Sequence, residues 1–439
     1  MEYLPNIIFA AFLIVGIGYF AKNINKLIRN IKLGKEVDAS DNKPQRWKNM
    51  AKIALGQSKM VKRPIAGFLH VIVYIGFIII NIEVLEIIID GLFGTHRIGL
   101  EILPVSVYGF LIGAFEILAL LVLVSVIAFW LRRNIIKLKR FMANEMEGWP
   151  KSDGNIILYF EVVLMCLFLT MNATDIQFQE LNSGNIISQY MAPWFEGLST
   201  NTIHLIERTS WWLHIVGILV FLNYLYFSKH LHILLAFPNT YFGRVIPQGQ
   251  FNNLDAVTKE VMLMMDPNAD PFAAPAEGSE VEEAPEKFGA SDVMDLNQIQ
   301  LLNAYTCTEC GRCTSECPAN QTGKKLSPRK IMMDARDRLE EVGKNIDANN
   351  GEFKDDGKQL LGDYTTAEEL WACTSCNACV EACPVSINPL SIIMDMRRYL
   401  VMEQSAAPME LNTMMTNIEN NGAPWPYNQM DRLNWANEN

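Results

Sequence analysis

Residues 305–319 read YTCTECGRCTSECPA, and residues 372–389 read ACTSCNACVEACPVSINP. Aligned on their cysteines, they carry one pattern twice: Cys307-x-x-Cys310-x-x-Cys313-x-x-x-Cys317-Pro318, then Cys373-x-x-Cys376-x-x-Cys379-x-x-x-Cys383-Pro384. Three cysteines at three-residue steps wrap a loop around one cubane. The fourth, beside a proline, is directed to the other cubane, which is the ligand pattern of a protein with two [4Fe–4S] clusters. The expected sets are Cys307, Cys310, Cys313 and Cys383 for cluster one, and Cys373, Cys376, Cys379 and Cys317 for cluster two. Structural zinc, the competing reading, takes four ligands, normally as two close pairs far apart, and would make the chain a membrane scaffold that only recruits partners. Two runs of four, each closed by Cys-Pro, match cubanes better. The ninth cysteine, Cys166, lies in an apolar run and reads as inert packing.

Working outward, the flanks of these runs are helical. DLNQIQLLNAY (295–305) places Leu296, Ile299, Leu301 and Leu302 on an apolar side. Ser327-Pro328 opens a helix, Thr366-x-x-Glu369 is a capping box, and another helix covers about 389–402. The polar, Gly/Asn/Asp-rich stretch 341–363 reads as a loop, and no strand signal is convincing. Residues 288–402 are therefore a mainly helical, ferredoxin-like 2x[4Fe–4S] domain. Before it lies a connector, 238–287, whose part DPNADPFAAPAEGSEVEEAPE (266–286) is an acidic Pro/Ala-rich linker. After it lies a tail, 403–439. Apo thiols and folding are coupled in such domains, so the cluster-free form should be poorly folded.

The other half of the 439 residues is apolar. Five segments, 4–21, 65–89, 104–131, 156–173 and 211–236, are long enough to cross a hydrocarbon core of ~30 Å with about 20 residues each. The expected fold class is all-α: a five-helix transmembrane bundle over 1–237, followed by the helical two-cluster domain. The loop 22–63 carries twelve Lys/Arg and the loop 132–151 carries six, whereas 90–103 and 174–205 carry only Arg97. Positive loops stay inside. This puts the N-terminus outside and the cysteine domain in the cytoplasm, beneath a bacterial inner (cytoplasmic) membrane crossed several times. Thiolate clusters also persist where thiols stay reduced, so two arguments agree. Trp194, Trp211 and Trp212 suit an outer interfacial belt. A net charge of −11 argues against nucleic-acid binding; membrane lipid is the expected surrounding.

Ionisable residues at membrane depth are rare and functional by default, and imidazole is an axial ligand of haem iron. His70 on segment two and His232 on segment five lie level, near the cytoplasmic ends of antiparallel segments, and are the expected haem b ligands. A helix-packing hydrogen bond is the competing role. His214 stands eighteen residues before His232, five whole turns and about 27 Å away on the same face. It is the ligand for a possible second haem, with no histidine level with it on segment two. His230 points away from that face and, with His96 and His204, reads as a surface residue. A quinone is the expected small substrate. Glu83, Glu86, Glu116 and Glu161, with Glu207 and Arg208, are candidates to exchange its protons, against the alternative of buried structural pairs.

The two quoted stretches resemble the ferredoxin part of heterodisulfide-reductase-type iron–sulfur oxidoreductases. The apolar half resembles the cytochrome b, or gamma, subunit of respiratory nitrate reductase in its five spans, outside N-terminus and last-span histidine pair. Fused proteins of this kind include membrane oxidoreductases linking electron-transfer flavoprotein to menaquinone. The resemblance implies that His70 and His232 hold the haem nearer the cytoplasm; the family's second histidine on segment two would fall near Ile80. Many relatives continue into a catalytic domain with CCG motifs. No CCG occurs here, and APWPYNQMDRLNWANEN at the end resembles the segment preceding that domain. The expectation is a membrane-bound electron-transfer subunit serving a separate CCG-domain subunit. The alternative is a self-contained quinone-linked reductase of a disulfide or sulfur compound.

Overall fold

The computed structural model describes residues 3–267 and 287–437. The acidic linker expected at 266–286 lies almost wholly outside the described residues. Among those residues the regular structure is helical, with isolated bridges and no strand.

Five long helices are apolar enough to span a membrane: α1 (Leu4–Ile31), α2 (Pro64–Phe93), α3 (Val105–Asn134), α4 (Trp149–Thr174) and α5 (Thr200–Tyr224). In lipid only a helix or a closed barrel satisfies every backbone group, so runs this apolar have little other choice. Their starts follow local chemistry. Pro64 and Pro150 sit in the first turns of α2 and α4, where no N–H partner is needed. The Ser199 hydroxyl accepts from the Thr202 N–H at the start of α5. Neighbours pack in the order α2, α3, α4, α5, α1 and back to α2, while α2 and α5 form no substantial contact of their own. Phe9, Ile87, Phe115, Phe168 and Ile215 fill the core. Trp211 is 8% exposed and packs on Phe9 in that core, not in an outer belt; Trp194 is exposed. Cys166 faces outward from the bundle, so it is not buried packing.

The fifth segment does not continue to 236. It ends in a tight turn, Leu225–Phe227, and Ser228 is extended before a second turn and α6 (His232–Tyr241). Asp153 holds this break by accepting from Tyr224 Oη at 2.6 Å and the Lys229 N–H at 3.2 Å. His214 and His232 therefore lie on different helices, and the five-turn register between them does not exist.

In the cysteine domain α7 (Gln298–Thr306), α8 (Pro328–Ala348) and α9 (Pro389–Met402) pack together. Helix α8 absorbs residues 341–348 of the expected loop, because Val342 and Ile346 continue its buried face. The Ser327 cap and the Thr366 capping box start helices as their sequences predict, and a further capping box at Asn297 starts α7. Leu301, Leu339, Ile393 and Met396 are fully buried. Arg338 is buried among them, held by Asp292 and Asp356 at 2.8 and 2.6 Å.

The two halves share one core: Leu27, Ile157, Phe221 and Leu231 join the apolar cluster of the cysteine domain. Beyond α1, Lys35 exchanges backbone hydrogen bonds with Leu296 and Gln298. This approach needs Gly34, where a Cβ would meet the Leu296 oxygen at 2.8 Å. Asn30 donates to Tyr305 Oη at 2.9 Å.

Removing a buried cation that holds two carboxylates leaves them uncompensated. Arg338→Met should cost about 3–5 kcal/mol, read as a lowered thermal midpoint of the cysteine domain with the bundle's helical signal unchanged.

Candidate functional site: two cysteine loops and a histidine pair

The two cysteine runs fold alike. Glu309 and Ser375, each two residues after the first cysteine, have φ of 52° and 57°. Gly311 and Asn377, each four residues after it, have φ of 71° and 60°. Left-handed residues turn successive N–H groups inward, making a concavity suited to negative charge. The Ser375 N–H points at Cys373 Sγ, 3.4 Å away, and the Ile387 N–H at Cys383 Sγ, 3.3 Å away. Gly and Asn, the residues that tolerate this conformation, were the visible signal for these turns; Glu309 and Ser375 gave none.

Cys307, Cys310, Cys313 and Cys383 line one cavity, so the last cysteine of the second run crosses to the first. Cys317 in turn lies near Cys373 and Cys379. Cys313 packs between the two groups, against Cys379 and Leu390. Burial pushes the thiols of Cys307 and Cys379 up to about 12 and that of Cys383 up to about 11. Without metal they stay protonated, so loading the sites releases protons. Cys376 is exposed, whereas Cys307, Cys317, Cys379 and Cys383 are buried.

The first loop is gripped by three parts of the bundle. Before α2, Arg312 donates to the carbonyls of Lys59 and Met60 at 3.2 and 3.1 Å, and Arg63 pairs with Glu316. Between α3 and α4, the Arg140 carbonyl and the Glu145 carboxylate accept from Arg329. After α5, Lys229 is ion-paired with Glu309, which also takes Arg336 at 2.8 Å. Burial alone would raise the Glu309 carboxyl; the two cations outweigh it and hold it below its usual range.

The same two segments, before α2 and after α5, carry the histidines. The turn Met60–Lys62 packs against Gly67, one turn before His70; a Cβ there would meet Val61 Cα at 2.7 Å. Lys229 lies three residues before His232. The His70 and His232 rings stand 6.4 Å apart, centre to centre. The Lys229 carbonyl lies 3.2 Å from His232 Nδ1, which leaves Nε2 free, and His70 Nδ1 is buried without a partner. Two imidazoles on opposite sides of one metal atom, with bonds of roughly 2 Å, would stand about 6 Å apart, so the pair fits a haem iron. His230 is not a surface residue. The turn 229–231 folds it inward, its ring 5.4 Å from His232 and 5.5 Å from Phe221.

His214 is buried, with Nδ1 3.0 Å from the Leu164 carbonyl and its ring beside Phe168. Among the described residues no ring contact joins it to another histidine. His96 lies by Asp175, and His204 is exposed. At the bundle end far from the cysteines, Glu116 accepts from Asn172 and the N–H groups of Ile187 and Ser188. Glu86 accepts from Gly99 and Tyr108, and Glu207 pairs with Arg208. These carboxylates hold the structure together. Glu161 is buried in α4, and Glu83 is buried with Oε2 unpartnered, beside Arg97 in a polar cleft.

Residues 306–387 match the family described as 4Fe-4S dicluster domain. Along most of its length the chain is similar to a probable iron-sulfur-binding oxidoreductase, FadF, of Bacillus subtilis, with 30% identity over 93% of this chain and 57% of the relative. It is similar to an EtfAB:quinone oxidoreductase of Syntrophomonas wolfei at 26% identity over 92% of this chain and 55% of the relative. Over 27% of its length it is 32% identical to one subunit of a ferredoxin/F(420)H(2)-dependent CoB-CoM heterodisulfide reductase of Methanosarcina acetivorans, matching 60% of that protein. The chain thus spans little more than half of the first two relatives. No solved structure matches it. The cysteine domain is a 4Fe-4S dicluster domain, carried by a chain with five membrane-length helices and related to iron–sulfur oxidoreductases.

The crossing of Cys383 gives a separable outcome. Cys383→Ser should lower bound iron by up to about half and remove one of two cluster signals in paramagnetic resonance, leaving the signal of the set around Cys373. Loss of both signals alike, in protein that keeps its helical content, would count against the crossed pairing.

Proposed function

We propose that this is a membrane-bound electron-transfer subunit. It passes electrons between the quinone pool (menaquinone or another quinone), haem b, two [4Fe–4S] clusters and a separate subunit with CCG-type domains, with electron-transfer flavoprotein as a soluble partner. The carrying observation is that the Cys307–Cys313 loop rests on the two segments that position His70 and His232. The name of one relative, an EtfAB:quinone oxidoreductase, supports electron-transfer flavoprotein and quinone as partners, and that of another, a heterodisulfide reductase subunit, supports work within a multisubunit complex.

In this reading His70 and His232 hold the haem, and the crossed cysteine sets hold the clusters. The bound groups supply one-electron carriers; the protein supplies spacing, orientation and dielectric. Two runs of four cysteines, each closed by Cys-Pro, favour multi-atom clusters over one zinc. Cys313, between the two sets, makes them neighbours. The exposed Cys376 puts the second set at the exit toward a partner. The tail follows α9, and its exposed Met409, Trp425, Met430 and Trp435 would serve as a docking surface. Glu83, left without a partner, is the carboxylate open to quinol protons. Loop charge supports an outside N-terminus and a cytoplasmic cysteine domain in a bacterial inner membrane.

Native purification with optical and paramagnetic-resonance spectra tests the whole reading; a colourless, zinc-loaded protein would overturn it. His70→Ala and His232→Ala should each abolish the haem bands while leaving iron and sulfide of the clusters unchanged. Haem content equal to wild type in both variants would refute the ligand pair.

A further inference from the structure

The first cysteine loop is ringed by cations that outnumber the carboxylates beside it. Each carboxylate there already has its own cation. Glu309 takes Lys229 and Arg336, Glu316 takes Arg63, Glu145 takes Arg329, and Glu381 takes Lys62 and Lys59. Two guanidiniums are left over. Arg312, only 4% exposed, lines the cavity of Cys307, Cys310, Cys313 and Cys383. Its hydrogen bonds go to the Lys59 and Met60 carbonyls and to Met60 Sδ. Arg140, in the turn Lys139–Phe141, packs on the loop itself: a Cβ at Gly311 would meet Arg140 Cβ at 3.3 Å. Its guanidinium lies over the Phe141 ring. Among the described residues neither guanidinium has a carboxylate partner.

Both charges bear on the cysteines. Cys310 attracts the Arg140 charge, whereas Arg63, Arg132 and Arg312 repel it. Burial and these neighbours push its guanidinium down to about 10, so it stays charged at neutral pH. The Arg312 charge meets Cys310 and Cys383 and also reaches His70. Cations gathered in a partly buried place cost stability unless an anion offsets them, and a cluster held by four thiolates is such an anion. The second set is surrounded differently. Arg397 donates to the Leu370 and Cys373 carbonyls and lies over the Trp371 ring, and Cys376 is open to solvent.

We propose that Arg140 and Arg312 tune the first cluster: their uncompensated charge holds its reduction potential up, so that an electron rests on the set of Cys307, Cys310, Cys313 and Cys383. The inference rests on the reading of those four cysteines as the ligands of one cluster. One-electron reduction adds one negative charge there and breaks no bond; the electron comes from the quinol side or from the soluble partner. A fixed positive charge in a place of lowered dielectric favours the more negative state, and net charge is among the quantities that set cluster potentials. Burial works the other way, because it penalises added charge. The two guanidiniums offset that penalty at the set that lies nearer the histidine pair.

The test uses the full chain with its cofactors, poised at a series of potentials and read by paramagnetic resonance. The first-cluster signal is the one that Cys383→Ser removes. Arg140→Gln takes away a charge that no carboxylate shares. At fixed potential it should lower the reduced-to-oxidised ratio of the first cluster about tenfold, a fall of ~59 mV for one electron, and leave the second signal unmoved. Arg140→Lys, which keeps the charge, should keep the wild-type midpoint. Arg312→Gln should lower the same signal; because Arg312 also ties the loop to residues 59–60, the Arg140 variants decide. An unchanged first-cluster midpoint in Arg140→Gln protein with full iron content would overturn the proposal, as would an Arg140→Lys midpoint that falls equally far. A shift of the haem midpoint alone would overturn it too, and would assign these charges to the carboxylates of the haem. A wild type without cluster signals would overturn the ligand reading, and the proposal with it.

Discussion

The buried Glu309–Lys229 ion pair is the contact on which the arrangement depends. Glu309 sits in a left-handed turn between two cysteines, and Lys229 sits in the break between α5 and α6. Each is almost fully buried, and each has a second tie: Arg336 to Glu309, Asp153 and the Pro150 carbonyl to Lys229. Two charges out of water stay charged only when their geometry is good and their remaining hydrogen-bonding capacity is met. The pair therefore fixes the first cysteine loop against the segment that positions His232, and little freedom remains at the joint.

The rest of the joint follows the same logic. Arg312, Arg329 and Arg63 reach from the cysteine domain, or toward it, and meet carbonyls and carboxylates at the ends of α2, α3 and α4. Arginine suits this task because its planar fork satisfies several acceptors at once. Beneath these polar ties runs a continuous apolar core from Leu27 and Phe221 to Leu339 and Ile393. The two halves are therefore packed as one body at this point, which a relay over short distances requires.

Much of this was legible in the chain. Five apolar runs became five long helices, and the caps at Ser327 and Thr366 open helices as read. The doubled cysteine spacing led to the expectation of Cys383 beside the first loop, and Cys383 lines one cavity with Cys307, Cys310 and Cys313. Other features were not legible. Hydropathy continues smoothly through 225–236, so nothing in the run marked the break that Asp153 imposes from another helix. His230 read as a surface residue because its direction was projected along a helix that ends before it. The loop read over 341–348 is helical because Val342 and Ile346 find a core to face.

What the sequence determined by itself was set by local and lengthwise rules: hydrocarbon thickness for the helices, ligand spacing for the cysteine loops, and capping chemistry for their flanks. Those rules act between residues close in the chain or on the mean character of a segment. The tertiary structure alone decided that Glu86 and Glu116 are bound to partners and that the His70 and His232 rings stand 6.4 Å apart. Those outcomes depend on partners far apart in sequence, and burial gives each unpaired charge its cost only once the chain has packed.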